Sequence, residues 1–144
     1  AMLGEYELIE KSLTSYYGSM INLGATTIWE EYDPTKSGDE HYEMYGGRYE
    51  KSLCHAWGAS PIYIFGRYYL GVFPLEYGYE EFMVSPKLGG LGYIKGCVPV
   101  NGGEVYVELD RHTLKVKATI CGGVLEFNGK RYTLEANEEI TIAY

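Results

Sequence analysis

The sequence predicts an α+β chain, with two helices at the N-terminal end followed by an antiparallel β-sandwich. Three observations carry this reading. Apolar residues recur at intervals of three and four up to about residue 72, and they alternate with polar residues beyond it. Between two of the alternating runs stands Asn128-Gly129, a pair suited to a tight hairpin turn whose central residues both need positive φ. The expected division is therefore residues 1–72, helical, and residues 73–144, a sandwich.

The first helix is read from Tyr6, Ile9, Leu13, Tyr16, Tyr17, Met20 and Ile21, which fall on one amphipathic face. Its expected span is about Leu3 to Ile21. Ala1 ahead of Met2 reads as a residue left by tag removal. A polar, glycine-containing stretch from Asn22 to Lys51 follows; a connection of that length is expected to be functional or disordered. The second helix is expected from Ser52, as N-cap, to about Leu70, with a kink at Pro61. Cys54, Ala56, Trp57, Ile62, Ile64, Phe65, Tyr69 and their neighbours leave it almost no polar face. A helix apolar nearly all round is buried in something larger. Pairing with a second copy around Ile62, Phe65 and Tyr69 would also cover it, so a homo-oligomer is expected.

Beyond residue 72, short strands are expected at Glu81–Val84 and Tyr93–Lys95. Clearer ones run through Val105, Val107 and Leu109, and through Leu114, Val116, Ala118 and Ile120. Val124–Phe127 and Lys130–Leu134 flank the hairpin pair, and Ile140 and Ile142 make a last strand. About six short strands with tight turns suggest a sandwich. Gly89, Gly90 and Gly92 lack a following helix and read as turn glycines.

Composition excludes several classes. Hydrophobic residues make up 46% and charged residues 22%, the balance of a globular chain. The net charge of −8 repels phosphate backbones and anionic membranes, so neither nucleic acid nor membrane is an expected partner. No apolar run is long enough to span a bilayer. Cys54, Cys97 and Cys121 have no CxxC spacing and leave an odd one over; this speaks against a disulfide framework or zinc site and for a reducing compartment such as the cytoplasm. No cofactor-binding motif is present. His41 lies among Asp39, Glu40 and Glu43, which reads as a solvated acidic loop; no metal is expected. The 16 tyrosines, against 4 Phe and 2 Trp, suit half-buried strands or a sugar-binding surface. A platform of Tyr77, Tyr79, Tyr93 and Tyr106 would favour carbohydrate binding without chemistry.

The stretch Gly24-Ala25-Thr26-Thr27-Ile28-Trp29-Glu30-Glu31-Tyr32-Asp33-Pro34 sets a carboxylate beside a large aromatic ring. Glycoside hydrolysis needs a carboxylate to activate water or attack, and an aromatic face for the sugar. Spacing alone makes this weak. The run GATTIWEEYDP followed by SLCHAWGASPIYIFGRYYLGVFPLE resembles the last part of the catalytic domain of bacterial α-L-rhamnosidases. The run EEFMVSPKLGGLGYIKGCVPVNGGEVYVELD resembles the β-sandwich that closes those enzymes. The resemblance implies the end of an (α/α)6 barrel plus a C-terminal sandwich, and an inverting hydrolase of terminal α-L-rhamnosides. It carries the general base of the Thr-Thr-x-Trp-Glu motif onto Glu30, and the sugar-contacting histidine of the His-x-Trp motif onto His55. Trp29 and Trp57 would line or support the pocket, and a rhamnoside or other carbohydrate would be the ligand of the parent enzyme. Tyr32 stands where many members have Trp, and Ala56 where many have Gly. The family's general acid lies upstream of the matched region, so the chain by itself is expected to be inactive.

Overall fold

The computed structural model describes residues 4–144, so the expected helix start at Leu3 lies outside the described residues. The chain divides into two compact units, Glu5–Ile62 and Tyr63–Tyr144.

The first helix is continuous but not uniform: α1 (Tyr6–Leu13) passes through a π-helical turn (Thr14–Gly18) into α2 (Ser19–Asn22). The second begins later than the sequence suggests. Ser52 does not cap it; His55 precedes a 3-10 turn (Ala56–Ala59) that leads into α3 (Ser60–Ile64) and a π-helical turn (Phe65–Tyr69). Pro61 therefore sits in the first turn of α3 instead of kinking its middle. At that place its missing N–H costs nothing, because the first amides of a helix have no partner within it.

The stretch from Asn22 to Lys51 is neither helix nor free loop. A capping box starts a short 3-10 turn (Gly38–Tyr42): the Ser37 amide and hydroxyl both donate to Glu40, at 2.9 and 3.2 Å. Asp39 accepts from Arg48 and Tyr49, each at 2.9 Å. The Tyr32 amide donates to the Tyr16 hydroxyl at 2.9 Å, tying the stretch back to the first helix.

The second unit holds two four-stranded sheets. One has the order β1 (Val72–Pro74), β2 (Phe82–Val84), β6 (Gly123–Phe127), β7 (Lys130–Leu134); the other β3 (Tyr93–Val100), β4 (Gly103–Asp110), β5 (Thr113–Ala118), β8 (Glu139–Ala143). Pairing is antiparallel except between β2 and β6, which run parallel. Strict alternation puts Val105, Val107, Leu109, Leu114, Val116 and Ala118 into one core with Val72, Phe82, Val84, Leu125 and Leu134. Asn128 and Gly129 both take positive φ, 49° and 74°, as the hairpin requires. The turn from β4 to β5 is held by Asp110, whose Oδ1 accepts the His112 and Thr113 amides at 2.7 Å each.

Two strands depart from what the sequence predicts. The β3 strand runs to Val100, through Gly96 and Pro99. Gly96 is required because a Cβ there would lie 2.6 Å from the Leu70 side chain, and Pro99 is tolerated because β3 is an edge strand. The short strand β1 is announced by no alternation. The four tyrosines do not share one platform: Tyr79 packs against the core, whereas Tyr77 stands 96% exposed.

Leu114→Ala should lower the unfolding free energy by about 2–5 kcal/mol, since its side chain is wholly buried. Gly71 has φ +72°, and a Cβ there would lie 2.2 Å from the Ser85 carbonyl. Gly129 has φ +74° with open space around it. Both alanine variants bear a left-handed backbone cost of about 1–2 kcal/mol; urea denaturation should show Gly71→Ala losing clearly more than Gly129→Ala.

Candidate active site

Two backbone hydrogen bonds bring the residues of interest together within the first unit. The Glu30 amide donates to the Ser52 carbonyl and the His55 amide to the Ile28 carbonyl, both at 2.9 Å. The Thr27 hydroxyl adds a bond to the Leu53 carbonyl. Segment 27–30 is thereby laid against segment 52–55. Gly58 keeps the following turn close: a Cβ there would meet the Ile28 side chain at 2.5 Å and the Trp29 carbonyl at 3.0 Å.

Glu30 lies at the centre, its side chain 3% exposed. Tyr45 donates its hydroxyl to Oε1, and the Ser52 amide donates to Oε2 at 3.2 Å. His55 Nδ1 stands 3.8 Å from Oε2, an ion pair whenever the imidazole is protonated. The Tyr45 bond is the largest influence holding the Glu30 carboxyl below its ordinary range. The Ser52 amide, His55 and Lys51 act in the same direction, and desolvation opposes them. The carboxylate is shielded yet near the surface, since the ring that caps it is 75% exposed.

The neighbouring carboxylate is disposed of differently. Glu31 Oε2 is 3.5 Å from Lys51 Nζ, and the Lys51 side chain is fully buried. Consecutive side chains of an extended segment point to opposite sides, and here Lys51 faces Glu31 while the Ser52 amide serves Glu30. Among the described residues the ammonium finds no hydrogen-bond partner, so carboxylate charge is its compensation.

Of the aromatic residues, Trp29 is buried, its ring edge-on to Tyr42 at 5.8 Å. Trp57 is 70% exposed and lies 4.4 Å from the His55 ring. Trp29 thus packs in the interior against Tyr42, and Trp57 lies at the surface beside the imidazole.

His41 departs from the solvated loop expected for it. It is buried and stacked on Tyr32 at 5.7 Å. Two of the neighbouring carboxylates are engaged elsewhere, Asp39 with Arg48 and Tyr49 and Glu40 with Ser37. Among the described residues no three His, Cys, Asp or Glu side chains gather as a metal site would need. The three cysteines are exposed and free. Local desolvation and the bond to Glu104 push the Cys97 thiol up to about 11, which keeps it protonated at neutral pH. Tyr45, Lys51 and Ser52 are residues that sequence reasoning did not find; no spacing rule links positions 45 and 30.

The first unit thus holds an enclosed carboxylate, kept ionised, with an imidazole and an exposed indole beside it. Residues 4–69 match the bacterial α-L-rhamnosidase six-hairpin glycosidase domain. An α-L-rhamnosidase of Alteromonas sp. (strain LOR) is 33% identical over 104 residues, which cover 71% of this chain and 11% of that protein. The GH78 family rhamnosidase of Bacillus sp. GL1 superposes with a TM-score of 0.65 at 26% identity, covering 94% of this chain and 14% of that one. The α-L-rhamnosidase of Dictyoglumus thermophilum shares the fold, with a TM-score of 0.50 at 19% identity over 88% of this chain and 16% of that one. The chain belongs with the α-L-rhamnosidases and corresponds to a C-terminal part of one. It spans between 11% and 16% of the length of these relatives.

Two measurements check the electrostatics. Because the Glu30 pKa is lowered on folding, its ionised form adds stability above the ordinary value of 4.5, and that increment is lost as pH falls through the folded value. The stability difference between the native chain and Glu30→Gln should therefore shrink on acidification below 4.5, read by urea denaturation across a pH series. Glu31→Ala strands a buried ammonium, whereas Lys51→Met removes it. Glu31→Ala should be the more destabilising of the two, and Lys51→Met should largely suppress its effect in the double variant.

Proposed function

We propose that this chain carries the water-activating side of an inverting α-L-rhamnosidase. Glu30 is the general base, His55 a sugar contact, Trp57 an exposed wall of the pocket and Trp29 its support. Inversion needs a second carboxyl group set back far enough to admit a water between the two. That acid belongs to a part of the enzyme outside this chain, so residues 1–144 alone do not hydrolyse rhamnosides. The observation that carries the reading is the Glu30 carboxylate, enclosed, ionised and 3.8 Å from His55 in a segment that matches the six-hairpin glycosidase domain. No cofactor and no metal enter the scheme.

The chain incubated with an aryl α-L-rhamnoside should release no product above background. Titration with L-rhamnose should perturb the resonances of His55 and Trp57, and Glu30→Gln should weaken that response. Turnover by the isolated chain that vanishes in Glu30→Gln would refute the inactive-fragment reading; a rhamnose titration leaving both residues unmoved would refute the site itself.

A second reading is favoured by the exposure of Trp57 (70%) and Ile62 (75%). Two large apolar side chains left in water in the first unit are suited to self-association. Tyr69 is fully buried and takes no part in it. Light scattering should report a dimer or larger assembly that Ile62→Glu dissociates; a monomer across the concentration range excludes this reading.

A further inference from the structure

Tyr45 occupies a costly position. It is the first central residue of a two-residue turn in which the Met44 amide donates to the Gly47 carbonyl at 3.1 Å and the Gly47 amide returns a bond to Met44 at 2.9 Å. Both central residues take positive φ, as in the type I′ form of such a turn: Tyr45 has 54° and Gly46 has 99°. Gly, Asn and Asp accept that backbone readily, whereas a bulky aromatic residue does so rarely. The ring gains little from burial in exchange, being three-quarters exposed. Its strong contact is the hydroxyl on the enclosed Glu30 carboxylate. Strain of this kind persists where the surrounding structure uses it.

From this geometry we infer that Tyr45 is a positioning residue for Glu30: its hydroxyl holds Oε1 while the Ser52 amide holds Oε2, fixing the plane of the carboxylate. The inference rests on the reading of Glu30 as the water-activating group. A carboxylate gripped at both oxygens cannot rotate, and each oxygen keeps a further lone pair to accept a proton from water. The grip also favours the charged form. Glu30 is held below its ordinary range chiefly by this bond, and the Tyr45 phenol is raised chiefly by the same bond. The other groups facing Glu30 are Lys51 and the Ser52 amide from the adjoining segment and His55 ahead of the 3-10 turn; Glu31, on its own segment, bears on the phenol.

The test is a carboxyl-detected NMR titration of the isotope-labelled 144-residue chain. In the native chain the Tyr45 ring carbon next to the hydroxyl should shift with the same midpoint as the Glu30 carboxyl carbon. In Tyr45→Phe, which keeps the ring and the turn, the Glu30 midpoint should move up. In Glu30→Gln the phenol should ionise at lower pH than in the native chain. An unchanged Glu30 midpoint in a folded Tyr45→Phe overturns the inference. So does a native Tyr45 ring that ignores the Glu30 titration, a comparison that needs no variant to fold. Rhamnose leaving Glu30, His55 and Trp57 unmoved would sink the reading of the site while this coupling stood, so the two failures are distinguishable.

Discussion

The pairing of segment 27–30 with segment 52–55 is the constraint on which the site depends. Its two backbone bonds set the register, and a slip by one residue would exchange Glu30 for Glu31. In the observed register one carboxylate meets an amide and a phenol, and the other meets a buried ammonium. Two chemically identical neighbours are thereby given different partners. Gly58 has the same logic, since any side chain there would push the turn carrying Trp57 away from Ile28 and Trp29.

The sandwich was largely legible because its chemistry is local. Strict alternation in β4 and β5 is what a two-faced sheet demands, and Asn128-Gly129 has few other uses. The shortfalls came where tertiary contact overrides pattern. Gly96 and Pro99 disguise the second half of β3, although an edge position and the approach of Leu70 account for both. Ser52 looked like a helix cap because Ser is a good one; its amide is instead committed to Glu30. The position of Pro61 was visible, but whether it begins or bends a helix depends on where the helix starts.

The site was legible only in part. Glu30 and His55 came from motifs resembling a known family, and their spacing of 25 positions says nothing about proximity. Tyr45 could not have been found this way, because its reach to Glu30 depends on a left-handed backbone that the sequence does not announce for tyrosine. His41 misled for the opposite reason. Acidic neighbours suggested solvent, yet Glu40 is engaged by Ser37 and Asp39 by Arg48 and Tyr49, while the imidazole stacks inside on Tyr32.

The parallel β2–β6 pair bears on how the sandwich assembles. Phe82 pairs with Gly123 and Val84 with Leu125, across an intervening stretch that contains β3, β4 and β5. Those three strands form a meander of neighbouring hairpins, whose loops are short and cheap to close. Joining β2 to β6 closes a far longer loop and is rewarded only once the meander supplies a surface to pack on. Loop-closure cost thus favours forming the β3–β5 meander before the mixed sheet. During synthesis, β2 can pair with β1 at once, but its other edge emerges well before β6 and must wait for it.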